Sequence, residues 1–255
     1  MKQKRRIKLS TILCSFITYM IALPIQTIIF FIGLLTKILK MNNLFIFLSK
    51  YWSLFFFKII GIKLKAYGLE NIEKNKNYLI VANHASYYDI AAIMYFMPNT
   101  IWVANKRFFK VLFFGALLKE MDTIPIDSKK IKETILKITE RSKKLRKNRS
   151  SSIAIFPEGT RTLDGNIHKF KRGFISIWQN TKFDLLPVTI NGTYIVKPKW
   201  SFLIYHTKEV SLYFHKPIPY QQIEKYDDND KYSEKEISET IKDIIEKDYE
   251  NPNIS

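Results

Sequence analysis

The sequence predicts an α/β fold, in which a mixed, mostly parallel sheet is flanked by helices and follows a membrane-associated segment of two helices. Beyond Gly68, short β-rich runs alternate with helical stretches, as in α/β domains. Several of these runs are apolar throughout, which is typical of strands buried on both faces of a parallel sheet. Before Gly68, two long apolar stretches dominate the chain. We therefore predict membrane-anchoring helices in residues 1–62 and an α/β domain with a C-terminal helix in residues 63–255.

The individual elements follow from local patterns. The predicted strands are residues 78–82, 100–104, 123–126, 152–156, 185–190 and 210–214, and the predicted helices between them are residues 88–97, 129–147 and 173–180. Ser233 and Glu236 form a capping box, which predicts a final helix to about residue 249. A stripe of four isoleucines on this helix is predicted to face the core rather than a partner: Ile237, Ile241, Ile244 and Ile245.

The first apolar run covers residues 9–39 and follows a cluster of Lys and Arg; its strongly polar members are Gln26 and Lys37. The run is much longer than the apolar part of a signal peptide, and no small-residue cleavage site follows it. A buried core helix of this length would need a larger surrounding core than the chain can supply. The pattern therefore predicts a membrane-embedded segment.

The second apolar stretch, residues 44–62, is rich in aromatic residues but also contains Lys50 and Lys58. A lysine at the centre of a bilayer costs roughly 2.5 to 3.5 kcal/mol, so this stretch is predicted to lie along the membrane interface or to snorkel its lysines. We expect a hairpin that returns, or two helices that dip into one leaflet. Either arrangement leaves the following domain on the cytoplasmic side of the cell (inner) membrane.

The net charge is +18, from 41 Lys and Arg against 23 Asp and Glu, and it favours phosphate-bearing or acidic partners. Ten of the basic residues lie in residues 129–149. Next to a membrane segment, such a run favours anionic head groups, at about 1 kcal/mol per basic residue near the surface. No recognition-helix motif, stacking sheet or zinc-finger spacing accompanies the charge, so nucleic acid is not a predicted partner. The single cysteine, Cys14, excludes an intrachain disulfide and a cysteine-based metal site.

The first candidate catalytic residues are His84 and Asp89, where an apolar strand gives way to a helix. Histidine is the natural general base near neutral pH, and a carboxylate on its second ring nitrogen fixes the tautomer and stabilises the imidazolium. On one regular helix, positions five apart would point about 140° apart, so a turn must lie between them. Ser86 beside His84 lacks a Gly-x-Ser-x-Gly elbow and is interpreted as a turn or cap residue rather than as a nucleophile.

The second candidate block follows another apolar strand and reads Phe156, Pro157, Glu158, Gly159, Thr160, Arg161. Arginine can bind a phosphate with two parallel hydrogen bonds, and a glycine lets the backbone approach a ligand closely. The other three histidines, His168, His206 and His215, are scattered without metal-ligand spacing, so no metal site is predicted.

With these motifs, the chain resembles the lysophosphatidic acid acyltransferases (1-acylglycerol-3-phosphate acyltransferases) and their glycerol-phosphate acyltransferase relatives. The resemblance covers about residues 68–214. It is carried, in order, by His-x4-Asp at His84 and Asp89, Phe-Pro-Glu-Gly-Thr-Arg at residues 156–161, Phe-Lys-Arg-Gly at residues 170–173 and Leu-Pro-Val at residues 186–188. The joint occurrence of the four motifs makes the resemblance specific.

The resemblance implies that His84 deprotonates an acceptor hydroxyl, that Asp89 orients His84, and that the acyl group passes directly from a thioester, without an acyl-enzyme. It implies substrate-binding roles for Glu158, Gly159, Thr160 and Arg161, and places Pro187 at a strand end near the acyl donor. Lys106 is a further predicted substrate-binding residue. No cofactor is expected beyond the donor itself, acyl-CoA or acyl carrier protein. The implied product is phosphatidic acid, made from lysophosphatidic acid at a phospholipid membrane.

Two positions depart from the family pattern. Asn105 stands where the family usually has Lys, and Ser128 where it usually has Arg. Lys106, Arg107 or Lys129 could compensate from one position away, or the acceptor could be another lysophospholipid or glycerol phosphate. A polybasic membrane-binding protein without activity and a nucleic-acid binder are the remaining alternatives, although a binding module has no use for the catalytic motifs.

Overall fold

A computed structural model of the protein describes residues 8–39, 41–111, 114–127, 130–147, 151–222 and 234–252. Seven strands form one sheet in these ranges. The strands are β1 (Lys63–Tyr67), β2 (Tyr78–Ala82), β3 (Thr100–Asn105), β4 (Ile124–Ile126), β5 (Ser152–Ile155), β6 (Asp184–Asn191) and β7 (Glu209–Phe214). All six predicted strands begin and end within one residue of their predicted bounds; β3, for example, extends one residue further, to Asn105.

The sheet has the order β1-β7-β6-β2-β5-β3-β4. The strands from β2 to β6 run parallel to one another, with Val81 beside Pro187 of β6 and beside Ile155 of β5. β7 runs antiparallel to β6 and parallel to β1. The prediction of a mixed, mostly parallel sheet is therefore confirmed. β1 was not predicted, because its alternating exposed and half-buried residues do not form an apolar run.

Helices cover both faces of the sheet. They are α1 (Leu9–Ile38), α2 (Asn42–Ile59), α3 (Tyr88–Phe96), α4 (Phe114–Glu120), α5 (Ile131–Lys147), α6 (Gly173–Thr181), α7 (Thr193–Val196) and α8 (Glu234–Lys247), with 3₁₀ turns at Leu69–Asn71 and Lys106–Lys110. One core cluster joins the sheet to α2 and α3, and the other joins it to α5, α6 and α8. Ile241 and Ile245 of α8 are buried in the second cluster, which confirms the core-facing stripe. Ser233 of the predicted capping box lies outside the described residues.

The N-terminal helices pack differently from each other. In the described part of the chain, α1 is the one helix long and apolar enough to cross a membrane, and only 17% of its most apolar window is buried. α2 instead buries Phe57 completely, against Tyr88 of α3. The core is therefore continuous across residue 62, and the division of the chain into two domains there stays a prediction.

The parallel strands bring separate parts of the sequence to one edge of the sheet. His84 follows the carboxyl end of β2, residues 156–161 follow β5, and Lys106 follows β3. In open α/β sheets, ligands bind in the crevice outside the carboxyl ends of the strands. The topology therefore places the candidate residues around one crevice.

Candidate active site

His84 and Asp89 form a hydrogen-bonded pair in the turn between β2 and α3. His84 Nδ1 lies 2.8 Å from Asp89 Oδ2. The same oxygen accepts the backbone N–H groups of Ala85 at 2.7 Å and Ser86 at 2.8 Å. Because Oδ2 already accepts two hydrogen bonds, it is an acceptor for the ring as well, so Nδ1 carries the proton and Nε2 presents its lone pair. The predicted turn thus creates the geometry of a general base.

The burial of the pair is uneven. The Asp89 side chain is fully buried, whereas 15% of the His84 side chain is exposed. The imidazole stacks on the Phe156 ring, with the centroids 3.9 Å apart and the planes 7° from parallel, and Phe156 stacks in turn on Trp102. These contacts fix the ring plane from one side. Asp89 therefore contacts the imidazole from its buried side. The imidazole is the member of the pair that a substrate can reach.

Glu158 binds the backbone of His84. Its Oε1 accepts the His84 backbone N–H at 2.8 Å, and its Oε2 accepts the His168 backbone N–H at 3.1 Å. The His84 carbonyl accepts the Thr162 N–H at 2.9 Å. Both backbone polar groups of His84 are thus bound by the segment that follows β5. Sequence reasoning assigned Glu158 to substrate binding and missed this bracing role; the substrate-binding role stays a prediction.

Arg161, Thr160 and Gly159 line the exposed side of the same segment. The Arg161 guanidinium lies 3.8 Å above the centre of the Tyr87 ring, and among the described residues no acidic side chain pairs with it. Gly159 has a φ of +70°, and a Cβ there would lie 2.6 Å from Lys171 Nζ. Only glycine accommodates this backbone without strain and leaves room for the lysine. The absence of a side chain at Gly159 thus allows the Lys171 ammonium group to lie beside the segment that contains Arg161.

Lys199 completes this cationic group from a distant loop. Its Nζ donates to Thr160 Oγ1 at 2.7 Å. The motifs gave no signal for Lys199, because it reaches Thr160 through the tertiary fold. Lys171, in contrast, belongs to the Phe-Lys-Arg-Gly stretch and could have been found from it.

The structure also shows the surroundings of Lys106, of Asn105 and of Pro187. Lys106 forms an ion pair with Asp127, so part of its charge is already compensated. The Asn105 side chain, at one departure from the family pattern, caps the 3₁₀ turn by accepting the Arg107 N–H at 3.0 Å. Ser128 and Lys129 lie outside the described residues. Pro187 is not at a strand end: it lies buried inside β6, beside Val81 of β2, and its carbonyl accepts the His215 N–H at 3.1 Å.

The segment beyond Arg161 is a tight turn organised by Asp164. Partial burial opposes ionisation of Asp164, but hydrogen bonds from Thr162, Asn166 and His168 outweigh it and lower the pKa of the carboxyl to about 2. The C-terminal segment covers this turn, since the Tyr249 hydroxyl donates to the Gly165 carbonyl. In the described residues, no three His, Cys, Asp or Glu side chains cluster as metal ligands.

The fold and the site together define an α/β scaffold with a histidine–aspartate pair and a cationic crevice at the carboxyl edge of the sheet. The family model described as Acyltransferase matches residues 63–191, which is half of the chain. The chain belongs to this acyltransferase family.

Individual relatives agree with this assignment. The chain is 30% identical over 154 residues to the 1-acyl-sn-glycerol-3-phosphate acyltransferase of Limnanthes douglasii, covering 57% of the chain and 51% of that protein. It is 32% identical over 136 residues to the protein of the same name from Borreliella burgdorferi, covering 53% and 54%. The chain thus spans about half the length of these curated relatives.

A solved structure shares the fold. The crystal structure of the 1-acyl-sn-glycerophosphate (LPA) acyltransferase PlsC from Thermotoga maritima superposes with a TM-score of 0.73 at 24% identity, and 94% of each chain is covered. At this identity the similarity concerns the fold alone. The predicted family and fold class are both confirmed.

Glu158→Gln should flatten the pH dependence of stability. Burial raises the pKa of Glu158 from 4.5 to about 7, so between these values the folded chain keeps a proton that the unfolded chain has released. The contribution is fully present below about pH 4.5 and is lost as the pH rises through about 7, amounting to on the order of 3 kcal/mol. Thermal unfolding of the detergent-solubilised protein at about pH 5 and pH 8 measures this loss of stability.

The exposed Glu239→Gln is the matched control, since Glu239 lies on the outer face of α8. We expect this variant to lose as much stability as the wild type between the two pH values, and Glu158→Gln to lose less. An equal loss in all three proteins would show that Glu158 does not titrate in the folded state as described.

Proposed function

We propose that the chain is an O-acyltransferase that moves a fatty acyl group from a thioester donor to the free hydroxyl of 1-acylglycerol 3-phosphate, giving phosphatidic acid. The observation that carries the proposal is the His84–Asp89 pair beside the cationic group of Arg161, Lys171 and Lys199. The names of the Limnanthes and Borreliella relatives support the choice of acceptor.

In the proposed reaction, His84 Nε2 takes the proton of the acceptor hydroxyl as its oxygen attacks the thioester carbonyl. Asp89, bound to Nδ1, stabilises the imidazolium. The tetrahedral intermediate then collapses, the carbon–sulfur bond breaks, and the imidazolium returns the proton to the leaving thiolate. One ester and one thiol are formed for each thioester and hydroxyl consumed.

Ser86 supports direct transfer rather than an acyl-enzyme. Its side chain is fully buried, and its Oγ donates to the Lys197 carbonyl at 2.9 Å. A nucleophilic serine needs an adjacent base and an exposed oxygen. In the described structure, the Ser86 hydroxyl instead joins the catalytic turn to the loop after α7.

The acceptor phosphate is assigned to the cationic group. Arg161 offers two parallel donors, while Lys171 and Lys199 flank the Gly159–Thr160 backbone as point charges. The engagement of Lys106 with Asp127 favours these three cations over Lys106 as the main phosphate ligands. The acyl donor is proposed to be acyl-CoA or acyl carrier protein, and the reaction as written needs no cofactor or metal.

The enzyme is proposed to work at the inner membrane with the crevice on the cytoplasmic side, where thioester donors are made. α1 supports membrane attachment, because large apolar side chains along its length are exposed. The basic surface of α5 would add attraction to anionic phospholipids.

His84→Ala should lower kcat by roughly 10² to 10⁴-fold, because the acceptor hydroxyl loses its base. The measurement is transfer from radiolabelled acyl-CoA, and in parallel from acyl carrier protein, to 1-acylglycerol 3-phosphate in detergent. His206→Ala is the matched control, since His206 is an exposed histidine whose Nδ1 lies 3.2 Å from the Ile60 carbonyl. Turnover at the wild-type rate in a folded His84→Ala enzyme would remove the mechanism.

Arg161→Lys should raise KM for the phosphorylated acceptor and leave KM for the donor nearly unchanged, because the lysine keeps the charge but loses the paired donors. Arg141→Lys is the control, since Arg141 of α5 forms an ion pair with Asp122. The assay should compare 1-acylglycerol 3-phosphate with lysophospholipids of larger head group and with glycerol 3-phosphate, which tests the acceptor class directly. A change confined to donor KM would place Arg161 outside the acceptor site.

The cytoplasmic orientation can be tested with a single reporter cysteine. Lys144 is exposed on α5, and Cys14 is the one native cysteine, so Lys144→Cys in a Cys14→Ser background carries a unique thiol. A membrane-impermeant maleimide should label it in permeabilised cells and not in intact cells, while the Cys14→Ser parent stays unlabelled. Labelling in intact cells would reverse the proposed orientation.

A further inference from the structure

The loop after α7, residues 197–203, presents two large apolar side chains to solvent. Trp200 is 78% exposed and Phe202 is 86% exposed. Trp200 also has a φ of +69°, a left-handed conformation that is unfavourable for a bulky residue. Neither exposure of such rings nor backbone strain stabilises a folded protein, so both features indicate a role in binding.

The loop holds these rings out on a fixed backbone. Ser201 Oγ accepts the Leu203 N–H at 3.1 Å, and the Ser201 N–H bonds the Pro198 carbonyl at 3.1 Å. Lys197 Nζ donates to the Ser201 carbonyl at 3.1 Å. The aromatic side chains are thus exposed by an ordered turn.

On one side, the loop is attached to the apolar helix α1. The Tyr19 hydroxyl donates to the Phe202 carbonyl at 2.8 Å, and Ser15 Oγ accepts the Ile204 N–H at 2.9 Å. Lys197 Nζ also donates to the Tyr19 hydroxyl at 2.6 Å. Next to these contacts, Phe16 and Met20 of α1 are themselves exposed. The apolar surface of α1 therefore lies directly beside the two rings.

On its other side, the loop is attached to the catalytic crevice. Ser86 Oγ, two residues from the base His84, donates to the Lys197 carbonyl, and Lys199 Nζ donates to Thr160 Oγ1. Lys199 also lies 5.6 Å from the centre of the Trp200 ring. Residues 197–203 thus contact both the apolar helix α1 and the catalytic crevice, and they include two cations, Lys197 and Lys199.

We propose that residues 197–203 form a membrane-docking loop, in which Trp200 and Phe202 insert into the interface of an anionic phospholipid bilayer beside α1. Tryptophan favours the head-group region, since its ring is apolar and its N–H is polar. Lys197 and Lys199 add the charge that complements anionic lipid. Docking here seats the mouth of the crevice against the surface that holds a lipid acceptor. This docking role goes beyond the proposed acyl transfer, and it does not depend on which reaction the site performs.

The test is the depth of Trp200 in a bilayer. Wild-type protein and the Trp200→Phe variant are reconstituted at full length into anionic vesicles whose lipids carry bromine near the head group or near the chain end. The difference between the two emission spectra reports Trp200, because the other tryptophans are common to both. We expect this difference to be quenched, and more strongly by the bromine near the head group. Unquenched difference emission would overturn the proposal and would leave the acyltransferase assignment untouched.

A second pair of variants gives an independent readout. Trp200→Ser with Phe202→Ser should raise KM for acceptor presented in vesicles by roughly tenfold and leave the rate on a monomeric short-chain acceptor unchanged. Leu69→Ser is the matched control, since Leu69 is 43% exposed at the opposite edge of the sheet. An unchanged vesicle KM in the double variant would contradict docking, as would an equal effect of Leu69→Ser.

Discussion

The arrangement of the site depends on one buried carboxylate oxygen. Asp89 Oδ2 receives the His84 ring and two backbone N–H groups, while the side chain has no exposed surface. An isolated buried charge is very costly, and hydrogen bonds to it offset that cost. The same oxygen thereby stabilises the turn after β2 and favours the proton on Nδ1 of the His84 ring. A residue at position 89 without a side-chain acceptor would lose both effects at once.

The rest of the crevice is built around that turn. Glu158 and Thr162 bind the two backbone polar groups of His84, so the segment after β5 is held at a fixed distance from the base. That segment also contains Arg161 and, through Gly159 and Thr160, contacts Lys171 and Lys199. The position of the cations relative to the base is therefore set by hydrogen bonds between strand ends rather than by either motif alone. The proposed acyl transfer needs such fixed spacing, because the acceptor hydroxyl, His84 and the thioester must meet in one geometry.

Much of the fold could be predicted because strands buried on both faces of a parallel sheet are continuous apolar runs. Tyr78–Ala82 and Ser152–Ile155 are buried throughout and were found almost to the residue. β1 was missed because it lies at the edge of the sheet and alternates Lys with apolar residues. α4 was missed because a seven-residue helix is too short to show a clear period. Of the site, the histidine–carboxylate pair could be predicted from its turn, whereas the direction of the Glu158 carboxylate and the reach of Lys199 depend on contacts between distant segments.

The central claim is that Asp89 holds His84 with the proton on Nδ1 and the lone pair on Nε2. The most direct test is the nitrogen NMR spectrum of the protein labelled with ¹⁵N-histidine, at a pH where the imidazole is neutral. The chain has four histidines, so the His84 signals can be assigned by their loss in His84→Ala. We predict a protonated Nδ1 and an unprotonated Nε2 for His84, and a changed pattern in Asp89→Asn. A proton on Nε2 with Nδ1 unprotonated in the wild-type protein would contradict the account.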